Sequence, residues 1–293
     1  MSRGYSRVHI VAESFEQLTS HVAGAIWMPF ALPTHVDPHQ TRQWCEESMA
    51  WLERLWQLHG EDVGIHYVDG VDVSAGGLPD VTHPYWAHIV KNYRLLSRDE
   101  AAAVCPGMTH GSAFTTVIYN PTTLMTWLHK EIRLLGGTFE AAEALESRRR
   151  RRRSRHQLHR TRAKELVKDE SVYPIRGQVL RVHNPAIKRF TMVVHRDGSH
   201  TYILPRPAGE PHNWTQANDP QDVEGIWSRA CALEPLVAQS RKLAEHWGLR
   251  PQRRDGVRLE VDCRRTANGA TWGCAQSVVR LATVHVPPVE SRL

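Results

Sequence analysis

Apolar and polar positions alternate through Arg7-Val-His-Ile-Val11 and run into Ala12-Glu13-Ser14, which predicts a strand ending at an acidic residue. Asp37 followed by Pro38 is a helix start, and Trp44, Met49, Trp51, Leu52, Leu55 and Trp56 fall mainly on one face as far as Gly60. Ser97-Arg-Asp-Glu100 has capping-box spacing ahead of Ala101 to Val104, and Pro106-Gly107 ends that short helix. Ala113 to Tyr119 is rich in β-formers. Asn120-Pro121 then caps a helix carrying Leu124, Trp127, Leu128, Ile132 and Leu135, which Gly136-Gly137 terminates.

No period of either kind survives in residues 148–164, which predicts a solvated, disordered loop. Beyond it, Tyr173 to Val182, Thr191 to Val194 and Thr201 to Leu204 are apolar, β-branched stretches divided by turn residues, and an antiparallel sheet is expected from them. Helices are expected over Pro220 to Ala232 and Pro235 to His246, then a strand over Val257 to Val261 and a last helix over Thr271 to Ala282. No internal repeat is visible.

Composition narrows the class. The chain has 293 residues, 41% apolar and 23% charged, so it can bury a sizeable core, and no apolar run nears the roughly 18 residues of a membrane span. Five cysteines, an odd number without a C-x-x-C pair, argue against a disulfide framework or a cysteine metal site and for reduced thiols in an intracellular compartment. The net charge of +6 is local. Ten basic residues and no acid lie between Arg148 and Lys164, and the other 27 basic residues face 31 acidic ones. Outside one segment the chain is mildly acidic.

Seven runs, in order, resemble the D-amino-acid oxidase family of FAD-dependent flavoproteins, which includes D-aspartate oxidase. They are Thr19 to Phe30, Gly111 to Thr116 with Tyr119 to Pro121, Tyr173 to Gln178, Thr201 to Pro205, Gly248 to Pro251, Val257 to Glu260 and Trp272 to Ala275. The resemblance implies an α/β (α+β) fold with an incomplete Rossmann-like FAD-binding domain and an antiparallel-sheet substrate domain. The expected organisation is residues 1–147 as the first part of the FAD-binding domain with interleaved substrate-domain segments, 148–164 as a basic insertion, 165–250 as mainly substrate domain, 251–285 as a return to the FAD-binding domain and 286–293 as a tail. Family members open with a strand and a G-x-G-x-x-G turn that holds the FAD pyrophosphate at a helix N-terminus; this sequence is expected to start after that turn. Arg148 to Arg162 stands where the family has a buried strand under the flavin.

The resemblance also implies roles. Arg258 would grip the substrate carboxylate in a bidentate fork, with a strand arginine reaching solvent as the alternative. Tyr202 would help hold the same carboxylate, or be a core strand tyrosine; a second family tyrosine is replaced by Gly198. Glu13 would take the adenosine ribose hydroxyl, Thr19, Ser20 and Ala25 would approach phosphate and ring, Ile26 and Met28 would line the flavin, and Gly269 and Thr271 would stand near its edge. The implied reaction is hydride transfer from the α-carbon of a D-amino acid to FAD, with oxygen reoxidising the flavin to give hydrogen peroxide and no catalytic histidine among the eighteen present.

Ser291-Arg292-Leu293 is a variant of the peroxisomal address, so an import receptor and a peroxisomal location are expected, with cytoplasm as the alternative. Nucleic acid is not expected as a partner, because the arginine run lacks interleaved aromatics. Monomer and homodimer are both open. The rival to a D-amino-acid oxidase is a non-catalytic remnant of the family that does not retain FAD and binds anionic partners through Arg148 to Arg162.

Overall fold

The computed structural model describes residues 8–16, 18–29, 37–76, 84–142, 154–158, 170–205, 220–254, 258–265 and 271–278. Strand β1 (His9–Ala12) pairs in parallel with β6 (Thr138–Ala141), and the His9 ring bonds Thr138 and Glu140 at 2.6 and 2.8 Å. Helix α1 (Thr19–Val22) leads into β2 (Ala25–Ile26), which joins a six-stranded sheet.

That sheet carries the core. Its path runs from β10 (His200–Ile203) through β9 (Phe190–Val194), β3 (Ile65–Ser74) and β5 (His110–Tyr119) to β2, and β4 (Lys91–Leu95) also pairs with β5. The β3–β9 pair is parallel and the others are antiparallel. Helix α2 (Pro38–His59) lies against one face. The Asp37 carboxylate accepts from His39 N at its start, and Trp44, Met49, Leu52 and Leu55 are buried beneath it. The other local signals hold as well. Ser97 and Glu100 form the capping box of α3 (Arg98–Val104), and Asn120 caps α4 (Pro121–Leu134).

Gly70 decides how tightly β3 and its neighbours pack. It sits opposite Phe114 on β5 and Phe190 on β9, whose rings meet above it with centroids 5.0 Å apart. A Cβ on Gly70 would occupy the volume of the Phe190 ring and carbonyl. Phe190 is fully buried and Phe114 nearly so, which makes the missing side chain the space the aromatic pair fills.

Four expectations are corrected. The three stretches after residue 172 do not form one sheet: β9 and β10 join the central sheet, whereas β8 (Val172–His183) pairs antiparallel with β11 (Arg241–Arg253). The helix expected over Pro235 to His246 is only α6 (Pro235–Ala238), following α5 (Pro220–Leu233), and from Arg241 the run belongs to β11. Lys242, Leu243, Ala244 and Glu245 are good helix formers, but a long partner strand overrides that preference. The last expected helix is instead strand β13 (Thr271–Val278), which pairs antiparallel with β12 (Arg258–Arg265). Finally, the segment expected to lack regular structure contains β7 (Ser154–Leu158), held parallel to β13. The tail from 279 onward, including Ser291 to Leu293, lies outside the described residues.

Candidate functional site

The two faces of the central sheet differ. Residues directly opposite one another across strands share a face. One continuous row runs Tyr202 (β10), Met192 (β9), Asp72 (β3), Ser112 (β5), Leu95 (β4). Two further rows on the same face contain Phe190, Gly70 and Phe114, then Val68 and Thr116. The alternation ends with Ile118, which faces Ile26 of β2. The expected substrate residue Tyr202 and the expected ring-lining residue Ile26 therefore lie on one face of one sheet. Their segments also meet: a Cβ on Gly24 would come within 2.6 Å of Leu204 Cδ1.

The hairpin that presents Tyr202 is held locally. The His195 ring and the Thr201 hydroxyl are 2.9 Å apart, Ser199 N donates to the Asp197 carboxylate at 2.9 Å, and Gly198 turns the chain with φ of 80°. A tyrosine in place of Gly198, as in some family members, would be forced into that left-handed backbone region, so this hairpin and the second tyrosine are incompatible.

Ala25, Ile26, Trp27 and Met28 are all buried. Trp27 is anchored from the opposite face, its indole N–H donating to Ser48 Oγ of α2 at 2.9 Å. Its carbonyl accepts from Thr116 Oγ1 at 2.7 Å, which fixes the backbone on which Ile26 and Met28 are displayed. Ser20 is half-buried in α1, and the side chain of Thr19 lies outside the described residues. Glu13 follows the carboxyl end of β1 and is exposed there. In parallel α/β sheets the crevice beyond the carboxyl ends is where ligands bind.

The remaining expected site residues are described only in their backbone, or not at all. Arg258 is the first residue of β12, in a three-stranded sheet with β13 and β7, and its side chain lies outside the described residues. Thr271 opens β13, again without a described side chain, and Gly269 is outside the described residues.

Asp72 is a residue that motif reasoning misses. Its carboxyl makes no hydrogen bond or ion pair with any described residue, and burial pushes it up to about 7 from an ordinary 3.8, although it keeps partial solvent access. Burial raises the Tyr93 phenol, a bond with Ser112 lowers it, and the nearby Asp72 charge adds to the rise. A signal for Asp72 is present in the sequence: Asp69 and Asp72 are three apart in an apolar run, and on a strand they must face opposite sides. Asp69 accepts from the Thr115 hydroxyl on the α2 face, which leaves Asp72 for the other.

The donor set fits FAD at its two ends: a carboxylate beyond a parallel strand for the adenosine ribose, and the small Ala25 beside buried Ile26 and Met28 for the ring.

The family model described as FAD dependent oxidoreductase matches residues 2–274. A D-amino-acid oxidase of Rubrobacter xylanophilus is 30% identical over 96% of this chain and 89% of its own length. A human D-aspartate oxidase is 30% identical over 87% of this chain and 76% of its own length. Among solved structures, a Bacillus cereus glycine oxidase superposes with TM-score 0.65 over 95% of this chain and 84% of its own, at 16% identity, a likeness of fold alone. With a family model over nearly the whole length and the α/β architecture of that fold, this chain belongs to the DAO family of FAD dependent oxidoreductases, and FAD is its cofactor.

Proposed function

We propose that the protein oxidises D-amino acids with oxygen and water to 2-oxo acids, ammonia and hydrogen peroxide. The observation that carries this reading is Tyr202 on the same sheet face as Ile26, with their segments meeting where Gly24 abuts Leu204, so that a substrate carboxylate would find a hydroxyl on the face that would line the flavin ring. The D-amino-acid oxidase and D-aspartate oxidase relatives support it. FAD, when bound, supplies the acceptor for the hydride and the route to oxygen. The protein's own part is orientation: the Tyr202 hydroxyl and the Arg258 guanidinium hold the carboxylate, and Ile26 and Met28 close the apolar side, so that the α-hydrogen faces the ring and water is excluded.

The test is peroxide formation by the FAD-loaded protein over matched D- and L-amino acids. Turnover restricted to D-isomers, lost in Arg258→Ala and not fully restored in Arg258→Lys, is the expected result, since a point charge cannot reproduce two parallel bonds. Turnover of L-isomers only would overturn the reading. A chain that shows no flavin absorbance bands even with added FAD would favour the non-catalytic remnant instead.

A further inference from the structure

The face that carries Tyr202 holds one anionic side chain with nothing described to balance it. Asp72 lies in the same cross-strand row as Tyr202, two strands away with Met192 between, so the two positions are separated by about 10 Å. The flanking strands offer Asp72 no cation. β5, β9 and β10 contain neither lysine nor arginine, and on β4 the cations are engaged elsewhere, Lys91 with Glu53 of α2 at 3.5 Å and Arg94 with Glu100 of α3 at 2.9 Å. His200, exposed at the β10 edge, is on the same face one residue pair along.

A lone carboxylate among Phe114, Phe190 and Met192 is costly unless a counter-charge arrives. The spacing says what could bring one. An amino acid whose carboxylate is held at Tyr202 must extend along the row to reach Asp72, and an unbranched side chain ending in a guanidinium or ammonium group spans that distance. Its methylenes would lie over the thioether of Met192, a flexible apolar surface. Neutral side chains of equal length would leave the carboxylate as exposed to the apolar wall as before, and acidic ones would add repulsion.

We propose that Asp72 is a specificity-determining residue that selects D-amino acids with a long cationic side chain. This rests on the D-amino-acid oxidase reading and deepens it. Asp72 takes no part in the hydride step; it pairs with the distal charge and sets which substrate is positioned.

The experiment compares D-arginine with D-citrulline, its neutral isostere, and D-lysine with D-norleucine, on the FAD-loaded wild type, Asp72→Asn and Asp72→Ser. The wild type should prefer the cationic member of each pair in kcat/KM, and both variants should lose about ten- to hundredfold of that preference, the worth of a charge-assisted bond. The loss should fall on KM more than on kcat. Calorimetric binding of D-arginine and D-citrulline under anaerobic conditions gives a second reading independent of turnover. If no D-amino acid is oxidised but D-arginine still binds better than D-citrulline and only with Asp72 intact, the oxidase reading fails and the assignment of Asp72 stands. Equal handling of the cationic and neutral members by the wild type, or a preference that survives both substitutions, overturns the proposal.

Discussion

The two faces of the central sheet are built from the same strands and treat their polar groups in opposite ways. Against α2, the polar atoms of Trp27, Tyr67 and Lys91 find partners: Trp27 donates to Ser48, the Tyr67 hydroxyl donates to Glu53 at 2.7 Å, and Lys91 lies 3.5 Å from Glu53 and over the Tyr67 ring. On the face of Tyr202, the Asp72 carboxyl has no described partner. A face whose polar groups satisfy each other is complete without a ligand; a face that leaves one buried and unmatched has the signature of a surface that waits for something to bind. The difference therefore separates a side of the sheet held by its own contacts from the side on which the proposed substrate residues lie.

The harshest way to break that contrast is to remove the support both faces share. Gly70→Ala would drive a methyl into Phe190, and because the obstruction includes backbone it cannot be relieved by a rotamer change. The expected cost exceeds about 4 kcal/mol, a fall in Tm of about 10 °C or more, if the protein accumulates at all. Thermal unfolding checks it, and a variant within about 2 or 3 °C of wild type, roughly a kilocalorie per mole, would mean that the rings above Gly70 repack freely.

On the α2 face, Ser48→Ala leaves the buried Trp27 indole N–H without its acceptor. An orphaned buried donor costs about 1–3 kcal/mol. Adding Trp27→Phe should cost less in the Ser48→Ala background than in the wild type, and a thermal or urea double-mutant cycle reads the coupling. Strict additivity would show that this hydrogen bond contributes nothing and that the face is less well satisfied than described.

How much of this is legible in the sequence depends on how local each signal is. Asp37, Ser97 and Asn120 announce their helices because a cap acts within four residues. β11 reads locally as helix because Lys, Leu, Ala and Glu favour it, and the strand that recruits it lies some 60 residues back; β13 is recruited across a hairpin. Tyr202 and Ile26 come from motif resemblance and lie on one face of one sheet. Asp72 escapes because its significance is a register: only the pairing of β3 with β9 and of β9 with β10 puts it in line with Tyr202.

Asp72→Asn sharpens the contrast in the opposite direction, by stabilising. A carboxyl raised from 3.8 to about 7 binds its proton more tightly in the folded state. The stability it contributes is full below about pH 4 and is lost as the pH rises through 7, because above that the folded protein must bear an unpaired charge. Asparagine carries no such charge. Asp72→Asn should therefore unfold at about the wild-type temperature at pH 4 and about 3 °C above it at pH 8, in ligand-free protein. A variant less stable than wild type at pH 8 would mean that the carboxylate has a partner there.

The smallest effect is expected where the picture of a saturated face makes its most modest claim. Lys91 touches both Glu53 and the Tyr67 ring, an arrangement that looks like an anchor, but its side chain is 52% exposed. Water competes for the ammonium group, and holding a long side chain in one rotamer offsets part of the attraction, so exposed pairs of this kind are worth about 1 kcal/mol or less. Lys91→Met keeps a flexible stem of similar length and removes the charge that lies over the ring. Tm should fall by no more than about 3 °C, and the gap to wild type should narrow further in 1 M salt, where the screening length is about 3 Å. The Tyr67 hydroxyl, raised mainly by burial, keeps its bond to Glu53 in either case. A loss of twice that size, insensitive to salt, would show that Lys91 is a structural member of the α2 face and that its polar contacts hold the sheet rather than merely occupy one another.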